Sequence, residues 1–200
     1  MMALIKKDYA FNLQRVAISL AIALLFPACV RFDKTVEFVS IIYLVGPFLA
    51  MNIFVSHACY IDDGIKTRMF LMSLPFKQSA KVASKYTLCV VHSVLCIGLT
   101  VAGMLVLGYS VTVNDIALAL AIELFYYAVF FYLFYRFTYS ASQSTFMVYM
   151  VTVAIITVTS RSIGFQMDTQ FLSLNYAIIA LGLSILVYAS SLLIAVRRNL

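Results

Sequence analysis

The sequence predicts an all-α, polytopic membrane protein forming one domain over 1–200. It has six transmembrane helices, an amino-terminal amphipathic helix and a long cytosolic loop between spans two and three. Three observations predict this. The 200 residues are 64% hydrophobic and only 11% charged, whereas a soluble domain needs about 25% charged residues to cover its surface; with a mean hydropathy of +1.02, the chain has lipid as its solvent. Its apolar runs are continuous rather than alternating, which disfavours a transmembrane barrel, and they lie near the ~20 residues that cross a bilayer core. The basic residues behind the net charge of +6 collect at the ends of those runs, where topology and anionic headgroups ask for them. That distribution points to membrane lipids rather than nucleic acid.

Met1 to Arg15 carries Lys6, Lys7, Asp8 and Arg15 among apolar residues, and Leu4, Phe11 and Ile18 recur every seven residues. This is the pattern of a short amphipathic helix lying on the membrane before the first span. Val16 to Val30 is the first apolar run, short at fifteen residues. A basic start before such a run also describes a signal peptide. Arg31 and Asp33 follow it without a small-residue cleavage site, so a retained helix is expected, kinked or ended at Pro27. Arg31–Glu37 is a polar loop, and Phe38–Ile61 is the second span, with a kink expected at Gly46-Pro47.

The long polar loop follows, Asp62–Lys85, with Asp62, Asp63, Lys66, Arg68, Lys77, Lys81 and Lys85 as its charges. Tyr86–Gly108 makes the third span, Tyr109–Asp115 a turn, and Ile116–Tyr135 an aromatic-rich fourth span. Arg136–Ser144 is a second polar break, Thr145–Ser160 the fifth span and Arg161–Gln170 a loop. Leu172–Val196 is the sixth span, ending in Arg197 and Arg198. Six spans place both termini on one side. Eleven basic residues share that side, against Arg31, Lys34 and Arg161 on the other, so the termini and the Asp62–Lys85 loop are expected in the cytosol.

Catalysis is not expected. Asp63-Gly64-Ile65-Lys66-Thr67-Arg68 half resembles the D-G-x-x-A-R opening of CDP-alcohol phosphotransferases. Those enzymes need further aspartates close downstream to hold divalent metals, and none lies between Asp63 and Asp115. There is no G-x-x-x-x-G-K-[ST] phosphate loop, no H-E-x-x-H and no Ser–His–Asp set at matching depth. No catalytic, metal or cofactor residue is therefore assigned. Cys29, Cys59, Cys89 and Cys96 form no C-x-x-C pair and read as small buried hydrophobes.

Three polar residues inside spans are candidates for a pathway or for pinning helices together. Glu123 lies about 20 Å from Arg136 along its helix, counting ~1.5 Å per residue. A charge there costs about 2.5–3.5 kcal/mol, so it is expected to be protonated, paired or facing a polar cavity. Thr100 and Thr157 lie at similar depth and are its expected hydrogen-bond partners. His57 and His92 lie within about 10 Å of the cytosolic boundary by the same count and would meet across spans two and three. Without a carboxylate beside them, packing or hydrogen bonding suits them better than a metal. Gly98 and Ala102 make one small-x-x-x-small step that permits close helix packing. The aromatics Phe125, Tyr126, Tyr127, Phe130, Phe131, Tyr132, Phe134 and Tyr135 fill more than one helix face, and lipid contact is their expected role.

Within the cytosolic loop, Ile65, Met69 and Met72 give a helical apolar face, and Ser73-Leu74-Pro75 breaks it. Lys77, Lys81 and Lys85 then recur every four residues, a stripe of cations along a second helix.

The spelling Met69 to Tyr86, MFLMSLPFKQSAKVASKY, resembles the same loop in small bacterial ABC transporter permeases of the type 2 exporter class. Asp62-Asp63, Ser73-Leu74-Pro75, Lys77 and Lys85-Tyr86 stand in the places of that pattern, and Leu4 to Asp8, LIKKD, resembles its amino terminus. The chain departs from it at Gly64-Ile65, where a Glu-Lys pair is common. The resemblance implies a cell-membrane permease half that pairs with a second permease, identical or not, and with separate ATP-binding cassette subunits. The loop would then hold a coupling helix docking on the ATPase through Met69, Phe70, Met72, Ser73, Leu74, Pro75, Phe76, Lys77 and Lys81. Its cargo would be hydrophobic or amphipathic, a peptide or lipid-like compound moved outward. The alternative is a non-transport membrane protein: an immunity protein, a sensor or a scaffold.

Overall fold

The computed structural model describes residues 2–31, 39–64, 67, 69, 73, 77–163 and 174–197; inside its helices the side chains at 29–31, 39–44, 78, 153–163, 174–177 and 194–197 are not described. These residues form seven helices with no strand among them: α1 Met2–Phe11, α2 Leu13–Arg31, α3 Val39–Asp63, α4 Gln78–Val106, α5 Val113–Arg136, α6 Tyr139–Ile163 and α7 Leu174–Arg197. By length and composition, Ser79–Val106 and Val113–Arg136 can each cross a membrane. The pair α1 and α2, bent by 81°, adds a third if it is one broken span.

Several boundaries differ from expectation for local reasons. α4 begins eight residues before Tyr86, because no glycine or proline separates Lys77 from the apolar run. Lys81 and Lys85 therefore ride on the first turns of the same rod as the third apolar segment, not on a separate helix in a loop. α6 begins at Tyr139 instead of Thr145. Thr138 caps its first turn, its hydroxyl accepting from Ala141 N–H at 3.4 Å, and Ser142, Ser144 and Thr145 satisfy their hydroxyls on the carbonyls of Tyr139, Ala141 and Ser142. Pro27 does not end α2, and α3 runs through Pro47. The break expected at Pro75 lies outside the described residues.

The turn between α4 and α5 has a clear chemistry. Gly108 adopts φ 83°, a conformation open to glycine at little cost, and Tyr109 N–H bonds back to the Met104 carbonyl. Thr112 then caps α5: its hydroxyl accepts from Asp115 N–H, and the Asp115 carboxylate accepts from Thr112 N–H at 3.1 Å.

α2, α3 and α4 pack on one another, while α5 packs against α3, α4, α6 and α7. This central position overturns the expectation that the α5 aromatics face lipid. Tyr126, Tyr127, Phe130, Phe131 and Phe134 are buried in the core with Phe48, Met51, Phe54 and Leu88; only Phe125 of the buried-face run reaches 37% exposure. Edge and stacked contacts hold them, such as Phe48 on Tyr126 at 4.6 Å and on Tyr149 at 3.8 Å between centroids. Helices in lipid associate through such close packing, since the tails are as apolar as the core. Gly103 admits a neighbour's backbone: a Cβ there would stand 2.9 Å from the Leu24 carbonyl oxygen of α2, while Gly46 of α3 makes room for the Phe26 ring. Gly98, by contrast, meets nothing within 4 Å among the described residues, so the Gly98–Ala102 step joins none of the described helices there.

Candidate functional site

The site is built where α1, the end of α3 and the start of α4 meet. Lys7 Nζ lies 3.1 Å from both Asp8 Oδ1 and Asp62 Oδ1. Lys85 Nζ lies 2.9 Å from Asp8 Oδ2 and 2.6 Å from Asp62 Oδ2. Two cations and two anions thus alternate around a square whose corners come from three helices. Lys85 and both aspartates are buried, while the Lys7 side chain keeps 20% of its exposure.

Each corner has a local cause. Asp8 falls one turn after Leu4 on the inward face of α1, and both are buried. Asp62 sits in the last turn of α3, where the helix dipole disfavours an anion, and two lysines offset that penalty. Its neighbour Asp63 turns the other way and accepts from Tyr139 N–H at 3.4 Å, placing an anion at the amino end of α6, where the dipole favours it. Both aspartates that open the loop therefore serve as anchors, one to α1 and α4, the other to α6. The every-four stripe accordingly runs from exposed Lys77 through half-buried Lys81 to buried Lys85. Lys85 is not available to headgroups or to a partner.

The expected meeting of the two histidines is not among the described contacts; each has its own partner. His57 Nδ1 and Asn12 Oδ1 are 2.7 Å apart, and Asn12 Nδ2 donates to the Asp8 carbonyl at 2.8 Å, closing the end of α1. His92 Nε2 lies 2.6 Å from Ser19 Oγ of α2, and Tyr9 stacks on Phe54 beside the same ring. Together these contacts hold the elbow between α1 and α2 against α3 and α4. Among the described residues no group of three His, Cys, Asp or Glu side chains is placed to hold a metal, and Cys59, Cys89 and Cys96 are buried free thiols. The elbow also breaks the expected seven-residue stripe: Leu4 is buried but Phe11 is 74% exposed.

A half-open cleft of about 260 Å³ lies against the square, walled by Phe11, Asn12, Ala58, Ile61 and Thr67. It opens beside the start of the loop. Of the loop residues expected to dock a partner, Met69, Ser73 and Lys77 are exposed and Lys81 is half-buried. Phe70, Met72, Leu74, Pro75 and Phe76 lie outside the described residues. Glu123 stands apart from this site, deep in the bundle and 1% exposed. Thr100 is not its partner; that hydroxyl donates to the Ala23 carbonyl of α2 at 2.9 Å. The Thr157 side chain lies outside the described residues.

What spacing could not show is the square itself, because its corners are far apart in sequence. Charge pattern offered one signal: Asp8 and Asp62 each flank an apolar segment on the side where the basic residues gather.

A family model described as ABC-2 family transporter protein matches residues 3–198. No curated protein and no solved structure matches the chain.

Proposed function

The chain belongs to the ABC-2 family of transporter proteins, and from that premise we propose that it is the transmembrane subunit of an ATP-driven exporter. A separate ATP-binding subunit supplies hydrolysis, and the segment between α3 and α4 transmits it. In this reading the chain spans the cell membrane six times with both termini in the cytosol. It pairs with a second permease, and its cargo is hydrophobic or amphipathic, a peptide or lipid-like compound.

The observation that carries the reading is the charge square. A partner pressing on the exposed residues of the segment, Met69 and Lys77, acts on a chain whose two ends are bolted together through Asp62 and Lys85 and to α1 through Asp8. Because α4 is continuous from Gln78 to Val106, displacement at its cytosolic end tilts the whole rod. Rigid-body motion of packed helices is the known currency of such transitions. The basic residues of the segment suit an acidic groove on the partner.

The test is co-purification with an ATP-binding subunit, followed by its ATPase rate. Wild type is expected to hold the subunit and to change its rate. Replacing Pro75 together with Lys77 and Lys81 is expected to reduce both at least tenfold while the permease still inserts. Unchanged binding and rate with a scrambled 69–81 segment would sink the docking claim.

A further inference from the structure

Three buried side chains inside the bundle lack the partners that their polar atoms require, and they lie together. Neither carboxyl oxygen of Glu123 on α5 has a hydrogen bond. Tyr127, one turn further along the same face of α5, is 1% exposed, and its hydroxyl is also without a partner. Ser93 on the neighbouring α4 is fully buried, with its hydroxyl directed at that carboxyl. Leaving buried polar atoms unmet is costly, so the group marks a site that an occupant completes.

The occupant has to be small. Tyr127 and Tyr149 stand close enough to feel the carboxyl's charge, each is packed by another ring, Tyr126 at 4.8 Å and Phe48 at 3.8 Å between centroids, and with Glu123 only 1% exposed the described side chains enclose it. It also has to answer the charge. Among the described residues no basic side chain is found paired with Glu123, and the square of Lys7, Asp8, Asp62 and Lys85 is made without it. Among the described residues the other titratable groups that feel its charge are Cys89 and Cys96 of α4 and Tyr149 of α6, and none of these is a cation. A proton satisfies both conditions. It converts an acceptor-only carboxylate into a group that donates and accepts, as the Ser93 and Tyr127 hydroxyls do, and one water can then bridge the three.

We propose that Glu123, with Ser93 and Tyr127, is a proton-binding site whose proton exchanges with water during the transport cycle. The proton sits on a carboxyl oxygen while α4 and α5 are closed together. When their separation admits water, it leaves to that water and a carboxylate remains, with no electron transferred. The site itself stands on the packing of the bundle; only the word cycle rests on the transport reading.

Infrared difference spectroscopy on the full chain in lipid nanodiscs, with no partner subunit, tests the site. Wild type is expected to show the carbonyl stretch of a protonated carboxylic acid, lost as pH is raised and absent in Glu123→Gln. Ser93→Ala and Tyr127→Phe are expected to shift the midpoint of that loss while keeping the band; an unmoved midpoint in both overturns their part in the site, even if Glu123→Gln fails to fold. A band absent from wild type at every pH, or one that ignores both pH and deuterated solvent, overturns the site. Exchange in the cycle is tested separately, by the pH profile of ATP hydrolysis in the assembled complex. Glu123→Gln is expected to remove one limb of that profile, and an unaltered profile overturns exchange. Failure of the docking segment would leave the infrared result untouched.

Discussion

A lysine near the end of an apolar helix commonly reaches for water or headgroups along its aliphatic stem. Lys85 turns inward instead, with only 7% of its side chain exposed, onto Asp8 and Asp62. Lys85→Ala would leave two carboxylates buried with only the partly exposed Lys7 to answer them, and removing one partner of a buried pair costs about 3–5 kcal/mol. A matching fall in unfolding temperature in nanodiscs is the expected result. Lys77→Ala, on an exposed residue of the same stripe, is expected to change stability by less than about 0.5 kcal/mol. Equal effects would show that the square contributes nothing. Residue spacing made the stripe visible but not the difference between its members. Period reports which residues share a face, while burial depends on what that face meets, here an aspartate near the start of the chain. The same limit applies to His57 and His92: their depth was legible, but their partners Asn12 and Ser19 on another helix pair were not.

At the scale of elements, α4 matters most. The sequence reads as a second, separate helix in a loop ending at Lys85, because polar residues there look like surface; the helix instead runs unbroken from Gln78 into the apolar segment. Helix propensity won over polarity, since Ser79 to Lys85 contains nothing that breaks a helix. Ala83→Pro would interrupt the rod between the docking segment and the apolar body at about 3 kcal/mol or more. The ATP-binding subunit is expected to remain bound while its ATPase rate no longer responds to the permease. Retained coupling would show that α4 does not carry the motion. α5 teaches the reverse lesson. Its existence and length were legible, but its aromatics were assigned to lipid, because hydropathy cannot distinguish a core of protein from a core of hydrocarbon. Contact with four other helices decides it.

For the whole molecule, all-α architecture and a membrane setting followed from composition, and the family match over residues 3–198 agrees with the resemblance carried by residues 69–86. Topology is open to direct measurement. In a background with the four cysteines replaced, Lys77→Cys and Thr138→Cys are expected to react with an impermeant thiol reagent only in inside-out vesicles. Ser110→Cys, exposed in the turn between α4 and α5, is expected to react only from outside intact cells. Labelling of Lys77→Cys and Ser110→Cys from the same side would rule out α4 as a span.

The square of Lys7, Asp8, Asp62 and Lys85 also bears on how the chain is made. Its first two corners leave the ribosome long before its last, so the nascent amino terminus has to wait with Asp8 in water. Asp62 joins it in the same condition. Only when Lys85 arrives can both carboxylates leave solvent, and α1 then settles against α3 and α4. Closing the square would therefore report that the third long helix has joined the first two. A chain whose third long helix has not entered correctly keeps its amino terminus loose, and quality-control proteases would meet that loose end first.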